Sequence, residues 1–343
     1  MRILFTKLRH IGDNLLVTPI ITATRRKFPG AEIWVAVRRG TEGILAGCPG
    51  IDRLLVTARP EQGKRTWADF RGDLATFAEV ARTTFDYAFE LGDNDRGRML
   101  VLASGAPVRA THRGELGLSP FWRRCFTDIG MADRSRMHQV EMDYLTPREV
   151  LGLEDDPPPM SFDPAAARAW EGAGDGTDFA VLHAATRWES KRWPQERWKE
   201  TLGRILEFTP RVVISSGPAE SEVTEARSLA EGFGDRVVIT AGTTSWRQLA
   251  WLLHRARYFV GVDTAAMHLA AATQCPAAVL FGQTIPGQYH PWKSPHRMVA
   301  PAGRKVGDPE VASTCRSDRM LAITVDEVVD ACRRVAEMRP VSA

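Results

Sequence analysis

The sequence predicts an α/β protein made of two Rossmann-like, doubly wound parallel-sheet domains facing a central cleft, and three observations carry that expectation. Short apolar strands alternate with amphipathic helical stretches. The alternation stops at a breaker-rich segment, residues 153–176, with Pro157, Pro158, Pro159 and Pro164 followed by Gly172, Gly174 and Gly176. Beyond it the alternation restarts. Strands joined by helices in this order pair in parallel with right-handed crossovers, so each half makes its own sheet. The expected domains are residues 1–165 and 166–324, with a closing helix in 325–343 that packs back on the first.

In the first half, apolar runs place strands at 3–5, 33–37, 54–56, 87–91 and 108–111, with helices at 14–28, 74–84 and 96–104. Pro29 and Gly30 stop the first helix. In the second half, strands fall at 179–183, 212–215, 237–240, 258–262 and 277–281, and helices at 195–208, 219–232, 246–255 and 265–273; a final amphipathic run covers 325–337. A chain of 343 residues that is 44% apolar has enough material for two cores.

Charge and cysteine usage narrow the function classes. The net charge of +3 is too small to argue for nucleic acid, but it is uneven: residues 1–150 carry about +5 (23 Lys and Arg against 18 Asp and Glu), the rest about −2 (22 against 24). The first half suits an anionic partner. Cys48, Cys125, Cys275, Cys315 and Cys332 are odd in number and form no CxxC pair, which fits reduced thiols rather than a disulfide frame or zinc site. With no signal-length leader and no stretch near ~20 apolar residues, the expected location is cytoplasmic, with peripheral membrane contact only.

Chemistry concentrates where strands end. Gly12 and Asp13 follow the first strand and the basic turn Lys7-Leu8-Arg9-His10-Ile11. Asp13 either caps the next helix or stands as a working carboxylate at the carboxyl end of a sheet. The loop His183 to Pro194 carries Thr186, Arg187 and Lys191 between a strand and a helix, which suits a diphosphate, without the GxxxxGK[ST] spacing of a P-loop. A solvated basic loop with Trp193 and Trp198 packed inward is the alternative. After Ser215-Ser216-Gly217-Pro218, Glu220 stands where an acid can hold a ribose hydroxyl pair, or can merely complement a helix dipole together with Glu222. Gly261 to Ala272 leaves a strand through Asp263, Thr264 and Ala265 into a helix of small residues, with His268 one turn in.

These motifs resemble glycosyltransferase family 9, the heptosyltransferases of lipopolysaccharide core assembly. The matching residues are Lys7-Leu8-Arg9-His10-Ile11-Gly12-Asp13 with Thr18-Pro19, the Arg187 to Pro194 run, Gly217 to Glu220, and Gly261 to Ala272 with Phe281-Gly282. Leu8 to Asp13, Asp93-Asn94-Asp95-Arg96 and Thr186-Arg187-Trp188 resemble the subgroup that adds the branching third heptose. Ala265-Ala266 replaces a Gly-Pro common among relatives, and Gln283 replaces a proline, changes that bear on the donor sugar.

The resemblance implies a GT-B fold with the acceptor in the first domain and the donor in the second. It implies metal-free, inverting transfer of L-glycero-D-manno-heptose from ADP-heptose, with no cofactor, to a phosphorylated, lipid-linked core oligosaccharide at the inner membrane. Asp13 maps onto the general base, Lys191 and Thr186 onto diphosphate contacts, Glu220 onto the ribose acid, and Asp263, Thr264 and His268 onto the donor loop, with Arg187 and Ala265 beside them. Lys7, Arg9, His10, Lys64, Arg65, Arg96 and Arg98 are the cations available to the acceptor, and Phe121-Trp122-Arg123-Arg124 suits a bilayer interface or a packed surface turn. A nicotinamide oxidoreductase is opposed by the missing GxGxxG. A non-catalytic sugar-nucleotide sensor would need Lys191, Glu220 and Asp263 but not Asp13, and a family 9 enzyme using another nucleotide sugar keeps them all.

Overall fold

The computed structural model describes residues 1–58, 66–112, 117–132, 137–173, 178–282, 284–301 and 318–339. The chain divides into two compact units, Met1–Ser161 and Phe162–Ala343. The first sheet holds β1 (Arg2–Thr6), β2 (Glu32–Arg38), β3 (Arg53–Thr57), β4 (Tyr87–Glu90), β5 (Val108–His112) and β6 (Asp128–Gly130), in the order β3-β2-β1-β4-β5-β6. The second holds β7 (Phe179–His183), β8 (Arg211–Ile214), β9 (Val237–Ile239), β10 (Tyr258–Val262), β11 (Ala277–Leu280) and β12 (His296–Val299), in the order β12-β11-β10-β7-β8-β9. Every pairing is parallel. Both sheets therefore reverse their winding beside their first strand, as doubly wound sheets do.

Helices cover both faces of the first sheet. Leu4, Trp34, Leu55 and Ala88 share a core with Val80, Leu100, Val101 and Phe126, so the helices Trp67–Arg82 and Asp95–Ala103 and the segment after Pro120–Cys125 close one face. Helices Thr18–Lys27 and Gln139–Leu151 pack together on the other.

Several expected elements are corrected by the structure. The helix expected at 14–28 is two, Ile11–Leu15 and Thr18–Lys27, because Pro19 has no N–H to continue the ladder and instead sits in the first turn of the second helix. The helix expected at 74–84 begins at Trp67, where Thr66 accepts from Asp69 N–H at 3.1 Å and Asp69 returns the bond to Thr66 N–H at 3.0 Å. Helix Gln139–Leu151 was hidden by its internal Pro147, and β6 and β12 by their shortness at sheet edges.

The closing helix, Val325–Met338, is part of the second unit. Its apolar stripe, Val325, Val328, Val329, Cys332, Val335 and Ala336, joins the core of the second unit with Trp198, Leu202, Leu182 and Val260. That stripe has the three-and-four spacing of one helix face and is used up there. Trp193 fastens the same region, donating from Nε1 to the Ile323 carbonyl at 3.2 Å while its ring meets Trp198 edge-on at 4.9 Å. Val328→Ala should thus lower the unfolding free energy by about 1–3 kcal/mol. Hydrogen exchange should rise in β7, β10 and β11 while β1 to β5 keep their protection.

Candidate active site

In the second sheet β7 and β10 lie side by side and their outgoing segments cross to opposite faces, which opens a crevice at their carboxyl ends. Gly261 on β10 permits this approach, since a Cβ there would stand 2.6 Å from the His183 carbonyl oxygen. One ion pair bridges the crevice. Lys191, in the loop after β7, donates from Nζ to Asp263 Oδ2 at 2.7 Å and to the Asp263 carbonyl at 3.1 Å. An ammonium has three donors, so this geometry leaves one for a ligand oxygen. Burial pushes the Asp263 carboxyl up, but Lys191, His268 and a hydrogen bond from Thr284 outweigh it and hold the group below the usual range.

The remaining residues expected here fall around that pair. Thr264 caps the helix Ala265–Ala272, and its hydroxyl is buried without a hydrogen bond among the described residues. Ala265 opens that helix, and His268 is buried one turn further in, beside Asp263. Thr186 is buried and accepts from Trp188 N–H at 3.2 Å, while Arg187 is exposed. Glu220 is exposed in the first turn of helix Glu220–Ala230, after β8, the strand whose outgoing loop carries the ribose acid in dinucleotide folds. Glu222 instead turns back and accepts from Gly217 N–H at 2.8 Å.

The first sheet has its crevice between β1 and β4. Asp13 stands at the third position of helix Ile11–Leu15, partly exposed, and its Oδ2 accepts from the His10 backbone N–H at 3.0 Å. Arg9 is half-buried and His10 exposed on the turn before it. Two residues expected to meet the acceptor are held by neighbours within the first unit. Lys7 is 1% exposed, with Nζ 2.5 Å from Asp143 Oδ2 and 2.8 Å from the Leu91 carbonyl. Burial pushes the Asp143 carboxyl up, against the opposing pull of Lys7 and of Gln139, and the Asp13 charge adds to the rise. Arg96 is held by Asp73 and by the Ala58 carbonyl. Arg98, weighed with them, is enclosed by Asp93, Asp95 and Glu90. Lys64 and Arg65 lie outside the described residues.

Two polar groups that sequence reasoning passed over end strands at these crevices. Glu90, the last residue of β4, is fully buried and accepts from Gly92 N–H at 2.8 Å and from the Thr111 hydroxyl at 3.1 Å. Burial lifts its carboxyl to about 7. His183, the last residue of β7, lies with Nδ1 2.9 Å from the Ser215 hydroxyl, and desolvation lowers its imidazole to about 4. The signal for both was a charged or titratable side chain closing an otherwise apolar strand.

Comparison with known proteins decides the family. A sequence model described as glycosyltransferase family 9 (heptosyltransferase) matches residues 76–319. The chain belongs to that family. It is 27% identical over 293 residues to lipopolysaccharide heptosyltransferase 3 of Escherichia coli, covering 84% of this chain and 85% of that protein. It is 28% identical over 299 residues to lipopolysaccharide heptosyltransferase 1 of Pseudomonas aeruginosa, covering 84% and 80%. Among solved structures, the E. coli heptosyltransferase WaaC with ADP superposes with a TM-score of 0.80 at 20% identity, over 98% of this chain and all of that one. The fold of this glycosyltransferase is GT-B.

Two measurements check the geometry of the first crevice. Lys7→Met leaves Asp143 buried without its cation and should cost about 3–5 kcal/mol in urea unfolding, most of it recovered in Lys7→Met/Asp143→Leu. Glu90 has a raised carboxyl in the folded chain, about 7 against 4.5, so its stabilising contribution is complete below about 4.5 and is lost as pH rises through about 7. Glu90→Gln should flatten the loss of hydrogen-exchange protection that β4 and β5 show over that interval.

Proposed function

We propose that this family 9 enzyme transfers a heptose from ADP-heptose to a lipopolysaccharide core acceptor, with inversion at the anomeric carbon and without a metal ion in the step. The observation that carries the reading is the Lys191–Asp263 pair across the β7/β10 crevice, beside the Thr264 hydroxyl, which has no hydrogen-bond partner among the described residues, and the start of helix Ala265–Ala272. The printed names of the relatives, lipopolysaccharide heptosyltransferases 3 and 1, and the ADP in the WaaC structure supply the substrate class.

In this reading the diphosphate takes the third Nζ donor of Lys191 together with Thr186, Thr264 and the free amides at Ala265, while Glu220 receives the ribose hydroxyls and Arg187 and His268 line the donor loop. The acceptor hydroxyl attacks the anomeric carbon from the face opposite the diphosphate. A new carbon–oxygen bond forms as the bond to the β-phosphate oxygen breaks. The hydroxyl proton passes to Asp13, and the electron pair leaves with ADP, whose growing charge Lys191 and the helix amides stabilise. Arg9 and His10, on the turn beside Asp13, meet the acceptor phosphates in this reading, with Lys7 and Arg96 assigned to the framework. The acceptor is lipid-linked, so the enzyme works at a bilayer as a peripheral protein. Among the described residues no helix is long and apolar enough to cross one.

Asp13→Asn should reduce transfer by 10²-fold or more with ADP binding unchanged, the usual scale for removing a general base. Lys191→Ala should weaken ADP binding in calorimetry. Product mass spectrometry with purified enzyme and truncated core acceptors decides the sugar. Transfer from UDP- or GDP-sugars but not from ADP-heptose would overturn the donor assignment, and full activity in Asp13→Asn would overturn the base.

A further inference from the structure

One helical layer gathers six of the eight large apolar side chains that the first unit exposes among the described residues. Trp67 (81% exposed), Phe70 and Leu74 on helix Trp67–Arg82, Met99 and Leu102 on helix Asp95–Ala103, and Phe121 on helix Pro120–Cys125 all face solvent. These three helices connect β3 to β4, β4 to β5 and β5 to β6, so right-handed crossovers put them on the same face of the sheet, and residues on or next to all three pack on its shared core. Helices Thr18–Lys27 and Gln139–Leu151, on the opposite face, expose no large apolar side chain among the described residues.

Charge on this layer is as one-sided as its apolarity. Its four carboxylates are all paired with arginines: Asp69 with Arg39, Asp73 with Arg96, Glu79 with Arg53 and Asp95 with Arg98. Arg71, Arg82, Arg123 and Arg124 are exposed on the same three helices, and none has a carboxylate partner among the described residues. Trp67, Arg71 and Leu74 follow one another at helical spacing on a single face. Large apolar side chains interleaved with unneutralised arginines are what an anionic lipid surface selects, since the rings enter the headgroup boundary while the guanidinium groups meet phosphates.

We infer that this layer is the face by which the first unit lies on an anionic bilayer. The inference rests on the peripheral, lipid-linked reading given above and adds to it the surface that makes the contact. It needs no substrate, so it is tested without one. Wild-type enzyme should cosediment with vesicles of phosphatidylcholine containing phosphatidylglycerol far better than with phosphatidylcholine alone, and less as salt rises. Trp67→Ser/Phe70→Ser/Leu74→Ser and, separately, Arg71→Glu/Arg124→Glu should each bind the anionic vesicles about tenfold more weakly or worse. Both should keep wild-type transfer to a soluble, delipidated acceptor, which reports that the fold and the site are intact.

Equal vesicle binding by the variants and the wild type would overturn the assignment of this face while leaving the peripheral reading in place. Failure of the wild type to bind any vesicle would overturn both. A wild-type dimer in sedimentation velocity that the triple variant dissociates, with vesicle binding unchanged, would assign the face to a second copy and sink the proposal.

Discussion

A parallel sheet that reverses its winding beside its first strand has one place where backbone amides and outgoing loops diverge, and the polar groups at both crevices are arranged by that constraint. Both units obey it. In the second, Lys191 bridges from the loop after β7 to Asp263 after β10. In the first, Lys7 bridges from β1 to the Leu91 carbonyl after β4, and Asn94 reaches the Leu8 carbonyl at 3.4 Å. Gly92 allows the two loops this closeness, since a Cβ there would lie 3.1 Å from the Leu8 nitrogen. The same topological position thus holds a lysine in each unit, and burial separates their uses. Lys7 is sealed against Asp143, where loss of either partner strands a charge in a low dielectric. Lys191 keeps 23% of its side chain exposed to solvent.

The strand ends beside these lysines carry the same logic in neutral form. Glu90 and His183 both close a strand at a crevice, and burial works against the charged state of each, raising one toward 7 and lowering the other to about 4. For Glu90 the bonds hold the Gly92–Asn94 loop in place, and Asn94 in turn caps the next helix at Gly97 with a 2.9 Å bond. The Asp93-Asn94-Asp95 run supplies that cap and the carboxylates that hold Arg98.

Local periodicity made most of the fold legible. The alternation of strand and helix and the loops bearing Lys191, Glu220 and Asp263 all depend on neighbours within a dozen positions. What remained hidden depends on distance along the chain. Lys7 reads as a free cation because its partner, Asp143, is 136 residues away on a helix whose internal proline disguises it. Arg96 and Arg98 read the same way, for a sequence displays charge but not its neutraliser. The closing helix shows its apolar stripe in sequence, but which unit receives that stripe is settled by Trp193 and the core around Trp198.

Asp13, the base in the proposed reaction, is also a capping residue. The cap engages one oxygen, Oδ2, with the His10 N–H, and that bond fixes the plane of the carboxylate. A carboxylate whose plane is fixed presents its other oxygen in a defined direction, which is what proton transfer to it requires, because a freely rotating side chain would lose orientational entropy at the transition state. Beneath it the Lys7–Asp143 pair pins the strand end from which the loop departs, so the orientation is set from the buried side as well. Replacing Asp13 by Asn preserves the cap, since the amide oxygen still accepts from His10, and removes only the proton acceptor. The observed cap and the proposed base role are therefore separable by experiment.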